Sequence, residues 1–161
     1  MRALAAIQII TLLNRIPATK KVFRGVCARN ITTRPPLKIK ALPAAYIHNT
    51  GYILQGVHWV LVFYTKHYTF FLDTFARSPT ELFLESSVGR ELRPVVYNIK
   101  PLQHFTTQAC GHYCIYYLVH LCQNCSITTI NKKFTKNTLK NDSRVFNFVK
   151  KLGKKWGVPI K

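Results

Sequence analysis

Cys110 stands immediately before Gly111, at the head of a segment, Cys110–Leu121, that is apolar nearly all round. That composition predicts a buried central helix. A thiol at a helix N-terminus sits among unpaired backbone N–H groups and the positive end of the macrodipole, both of which favour the thiolate. Gly111 would let a substrate carbonyl approach the backbone closely. His58, beside Trp59 in a run of β-branched and aromatic residues, supplies an imidazole that can take a thiol proton. Asp73 interrupts a second such run, and a half-buried carboxylate is costly unless it is paired. It either caps the turn before Phe75 or orients His58. Gln103, seven residues before Cys110, offers an amide N–H that, with the Cys110 backbone N–H, would bind a developing oxyanion. Nucleophile, base, orienter and oxyanion donor are the parts an acyl-transfer site needs, here in the order His, Asp, Gln, Cys.

The elements that must hold these residues are readable in outline. Residues 3–15 predict an amphipathic helix stopped by Pro17, and residues 18–44, punctuated by Pro35, Pro36 and Pro43, read as basic and irregular. Asn49-Thr50-Gly51 marks a turn. Val57–Tyr64 and Tyr68–Phe75 predict a hairpin. Its loop length decides the site: two or four residues put His58 and Asp73 on one face, and three put them on opposite faces. Thr80–Leu92 predicts a helix, Pro94–Ile99 a third strand, and Asn141–Leu152 a last amphipathic helix with Val145, Phe148, Val149 and Leu152 on its apolar face. Strands and helices mixed in this way predict an α+β fold, a sheet packed on the helix that bears the nucleophile.

At 161 residues the chain suits a single domain, with 48% hydrophobic and 12% aromatic residues, which excludes a disordered polymer. The 24 Lys+Arg against five Asp+Glu make a net charge of +19 and predict a polyanionic partner. Residues 1–40 carry nine Lys/Arg and no acid, and residues 132–161 carry ten with Asp142 alone opposing them; the core, 41–131, is nearly neutral. No apolar run reaches the ~18–20 residues of a membrane span. Five cysteines, an odd count, without a signal peptide predict free thiols in a reducing compartment. Cys114, Cys122 and Cys125 read as small buried hydrophobes, and a lone Cys122-x-x-Cys125 pair is weak evidence for zinc.

Gly56-Val57-His58-Trp59, Leu72-Asp73-Thr74-Phe75 with Arg77-Ser78, and Gln103 followed by Ala109-Cys110-Gly111-His112-Tyr113-Cys114 resemble the adenovirus-type (adenain-like) cysteine endopeptidases and their relatives in Polinton-type viruses and mobile elements. The likeness covers most of residues 20–150. It implies a permuted papain-like fold, with His58 as general base, Asp73 as its orienter, Cys110 as nucleophile and Gln103 in the oxyanion hole. It also implies substrate-binding roles for Trp59, as an aromatic wall, and for Gly56, beside which the substrate backbone would run. The implied activity is cleavage of viral precursor proteins at Gly-Gly or Gly-x-Gly motifs during virion maturation, by a monomer in the virion and host nucleus. The chemistry would need no cofactor; DNA and an activating peptide would stimulate it. Two departures stand out: Asp73 replaces the glutamate of the adenovirus enzymes, and residues 90–102 hold no cysteine to which a disulfide-linked peptide would attach. A deconjugating protease for a ubiquitin- or SUMO-like modifier ending in Gly-Gly would share the triad order. A non-catalytic basic nucleic-acid-binding protein would explain the charged ends but not the site residues.

Overall fold

The computed structural model describes residues 2–28, 42–50, 58–83 and 93–160. Helix α1 (Ala6–Arg15) and a single turn, α2 (Pro17–Lys20), lead into strand β1 (Phe23–Ala28). Then come β2 (Ala44–Asn49), β3 (Trp59–Tyr64), β4 (Thr69–Leu72), the short α3 (Pro79–Phe83) and β5 (Val95–Tyr97). Helices α4 (Cys110–Cys122), α5 (Ile127–Asn131) and α6 (Thr138–Trp156) complete the chain. The five strands form one mixed sheet in sequence order, with β2, β3 and β4 antiparallel and the outer strands β1 and β5 each parallel to their neighbours.

The hairpin pairs Tyr64 with Thr69, leaving a four-residue loop. The Thr65 hydroxyl donates to the Tyr68 carbonyl at 2.7 Å and accepts from the His67 and Tyr68 N–H groups, so that one side chain organises the turn. Leu61 pairs with Leu72, and continuing this register puts Asp73 beside Val60, on the same face as His58. Loop length thus resolves the alternation in favour of a meeting of the two side chains.

Alternation also divides the core. Ala45, Ile47, Leu61, Phe63, Phe70 and Leu72 face α4, whereas Val60, Val62, Tyr64 and Phe71 pack with Leu82 of α3 on the opposite face. Helix α4 is buried along its length, as an apolar helix enclosed by a sheet, α1 and α6 must be. Cys114 lies fully inside; Cys122 and Cys125 are only partly covered, at the core's edge. All five thiols are free.

Residues 18–44 are not irregular throughout: β1 lies within them and pairs in parallel with β2, which begins at Ala44. Arg24 and Gly25 break the alternation of β1, and Gly25, at φ 143°, takes up a register shift that a side chain would resist. The pairing is non-local, so nothing in the local pattern announces it. The first helix forms as expected, and the last is longer than Asn141–Leu152. Asn137 caps α6 by accepting the Lys140 N–H at 3.0 Å, and Gly157, at φ 67°, ends it. The helix predicted over Thr80–Leu92 is present up to Phe83, and its remainder lies outside the described residues.

Candidate active site

His58 immediately precedes β3, where its carbonyl accepts the Thr50 N–H at 2.9 Å and continues the β2–β3 ladder. Asp73 immediately follows β4. The His58 Nε2 atom lies 2.6 Å from Asp73 Oδ1, with His58 5% exposed and Asp73 fully buried. The other imidazole nitrogen, Nδ1, is the one left for the Cys110 thiol, a neighbour that favours the charged form of the same ring. Cys110 is the first residue of α4 and is 5% exposed. Its preceding residue, Ala109, provides no side-chain cap, so the first N–H groups of the helix are not consumed by one.

Burial alone would lower the pKa of His58, yet it is raised above 6.5, because the bond to Asp73 and the neighbouring Cys110 favour the imidazolium more strongly. Burial would likewise raise Asp73, but His58, the Phe75 N–H at 2.9 Å and Arg77 hold its carboxyl below the ordinary 3.8. The site is therefore built to carry an ion pair away from water.

Two residues to which the sequence assigned no role hold Asp73. The Asn98 side chain donates to the Asp73 carbonyl at 2.6 Å and accepts the Asp73 N–H at 3.2 Å, gripping the backbone from the end of β5. Arg77 Nε lies 2.7 Å from Asp73 Oδ2. The chain returns Arg77 to Asp73 through a turn in which the Ala76 N–H donates to the Asp73 carbonyl at 2.9 Å. Ala76 adopts φ 62°, a left-handed conformation that costs a residue with a side chain about 1 kcal/mol.

Gln103 is buried on the approach to α4. Its Oε1 accepts from the Thr74 hydroxyl at 2.8 Å, and its Nε2 donates to the Thr107 carbonyl at 2.6 Å. These partners fix which end of the amide is the donor, and an amide nitrogen carries a second proton. The same loop is latched from α6. Asp142 accepts from the His104 N–H at 3.1 Å, the Thr107 hydroxyl at 2.7 Å and the Tyr113 hydroxyl at 2.9 Å. Asn141 donates to the Leu102 and Thr135 carbonyls. Asp142 was detectable in principle: it is one of five acids in the chain and shares helical spacing with the buried Val145 and Val149. Asn98 carries no comparable sequence signal.

Trp59 adjoins the site but is built inward. Its indole N–H donates to the Leu4 carbonyl at 3.0 Å, tying the N-terminal arm to the sheet. A Cβ on Gly111 would approach Trp59 Cδ1 to 3.1 Å and the Leu4 Cβ to 3.3 Å. On the side where a Cβ would stand, the close approach at Gly111 is that of Trp59 and the arm. Gly56 lies outside the described residues. Among the described residues, no group of three or more His, Cys, Asp or Glu side chains is placed to hold a metal ion, and no helix is long and apolar enough to cross a membrane.

The structure therefore brings His58, Asp73 and Cys110 together and anchors Gln103 between Thr74 and Thr107. No family model matches the chain and no curated protein matches it, so the functional reading rests on this geometry and on the motif resemblance.

Proposed function

We propose that the chain is a cysteine endopeptidase of the permuted, adenain-like kind. The observation that carries this reading is the shared imidazole: His58 bonds the buried Asp73 at 2.6 Å, and the thiol at the head of α4 is near enough to the same ring to favour its charged form. In the reaction, His58 Nδ1 takes the Cys110 proton and the thiolate attacks the peptide carbonyl carbon. The carbonyl oxygen becomes an oxyanion, stabilised by the Cys110 backbone N–H and the second proton of Gln103 Nε2. The imidazolium then protonates the leaving amine, so that the C–N bond breaks and a thioester remains. Water, losing a proton to His58, hydrolyses the thioester and restores the thiol. Asp73 stays ionised and stabilises the imidazolium throughout.

The motif resemblance extends the reading to precursor proteins cut at Gly-Gly or Gly-x-Gly sequences during virion maturation, in the virion and host nucleus. The charge of +19 supports DNA as a partner that concentrates enzyme and substrate on one polyanion. The test is hydrolysis of a fluorogenic Leu-x-Gly-Gly peptide by the wild type and Cys110→Ala, each with and without double-stranded DNA. Turnover that requires Cys110 and rises with DNA is expected. Full turnover by Cys110→Ala would overturn the site. Turnover indifferent to DNA would keep the peptidase and remove DNA as its stimulator.

A further inference from the structure

Arg77 stands apart from an ordinary surface arginine. Its side chain is 41% exposed, but the carboxylate it meets is fully buried and already engaged with His58. An exposed ion pair contributes little; one whose acid lies inside the protein is screened far less. Arg77 also reaches the imidazole by a second route. Its guanidinium lies 5.8 Å from the Phe75 ring centre, and that ring lies 5.0 Å from the His58 ring at a 33° tilt. The left-handed Ala76 is what turns the chain back so that both contacts are made.

We propose that Arg77 is a positioning residue of the site: it holds the outer oxygen of Asp73 and backs the Phe75 ring, so that the inner oxygen stays on His58 Nε2. The catalytic consequence rests on the peptidase reading; the clamp itself does not. The two carboxylate oxygens have separate tasks. Oδ2 accepts from Arg77, while Oδ1 accepts from the Phe75 N–H and meets His58. Rotation of the carboxylate away from His58 would break the Arg77 bond as well. Among the described residues, the titratable groups around Asp73 are His58 before β3, Arg77 on its own turn, Glu81 on α3, and Cys110 and Cys114 on α4. Arg77 is the guanidinium bonded directly to the carboxylate.

The test uses the full chain carrying Cys110→Ala, in which Asp73 and His58 are titrated by NMR with Arg77, Arg77→Lys or Arg77→Gln. Removing the cation destabilises the carboxylate and leaves its charge uncompensated beside the imidazole. The Asp73 midpoint is therefore expected to rise by about one pH unit in Arg77→Gln, and the His58 midpoint to rise with it. Arg77→Lys, which keeps the charge without the planar fork, should fall between. With Cys110 present, Arg77→Gln should lower kcat about tenfold with KM little changed, and Arg77→Lys should restore part of the loss. Midpoints that do not move in a folded Arg77→Gln protein would overturn the clamp. Midpoints that move while kcat is unchanged would overturn its positioning role. Midpoints that move in a chain whose wild type cleaves no peptide would uphold the clamp and sink the peptidase reading instead.

Discussion

Two aspartates in this protein are buried to nearly the same extent, Asp73 completely and Asp142 to 1% exposure, and their surroundings differ in kind. Asp142 accepts from a backbone N–H and two hydroxyls, all neutral. Asp73 sits between an imidazole and a guanidinium, with one backbone N–H completing its shell. Neutral donors fix a carboxylate and leave it nothing to exchange. Titratable partners let the carboxylate govern where a proton resides. Burial alone does not mark a chemical site; the partners of the buried group do.

The largest effects should separate the two aspartates by what they damage. Asp73→Asn keeps the shape but gives His58 the wrong partner, and is expected to lower kcat/KM about a hundredfold. Its stability loss should be modest, since the exposed Arg77 can turn to water. Asp142→Ala leaves the His104 N–H without its acceptor and the Thr107 and Tyr113 hydroxyls with one carbonyl each, and should destabilise the fold by about 2 kcal/mol in urea unfolding. Equal stability losses in the two variants would erase the distinction between the two aspartates.

A second contrast lies between two buried histidines. His58 is raised above 6.5 and Asp73 lowered below 3.8, so the His58 contribution to stability is complete below about pH 6.5 and fades as pH rises through the raised value. The Asp73 contribution is present above 3.8 and fades as pH falls through the lowered value. His112, fully buried on α4 with no hydrogen-bond partner for either ring nitrogen among the described residues, is pushed down to about 4 by burial. Its sign is opposite: the unfolded chain takes up a proton below 6.5 while the folded chain resists. Between pH 6.5 and 4 this should cost about 3 kcal/mol. His112→Leu is expected to flatten that acid loss, seen as a pH series of unfolding midpoints, whereas His58→Ala should lose stability chiefly below pH 6.5. An unchanged acid slope in His112→Leu would mean that His112 is not the group that resists protonation.

The smallest effect concerns the turn that serves Asp73. Ala76→Gly removes the left-handed strain but loosens the unfolded chain, so a gain of about 0.5 kcal/mol is expected. No gain in thermal unfolding would mean that the strain is already relieved by the turn's own bond to Asp73.

Much of the site was legible before the fold. Cys110 at a helix head, His58 and Asp73 in adjoining strands, and Gln103 in the approach to the helix are each marked by a residue type at odds with its surroundings. The parallel pair at one edge of the sheet was not legible, because β1 and β2 lack strong alternation and acquire each other only across the chain, whereas β5 lies within the strand expected over Pro94–Ile99. Nor were the supports legible. Arg77 and Asn98 are unremarkable as types, and their importance arises from what lies opposite them.

The sequence by itself determined the α+β character, the central helix, the hairpin and the identities of the candidate site side chains, since periodicity and residue chemistry are local properties. Tertiary structure alone decided that the hairpin loop has four residues, so that His58 and Asp73 share a face. It alone brought the head of α4 to that imidazole and set Arg77, Asn98 and Asp142 to hold the parts in place. Alignment between distant segments depends on loop geometry and on packing between elements, and neither is written in the pattern of any one of them.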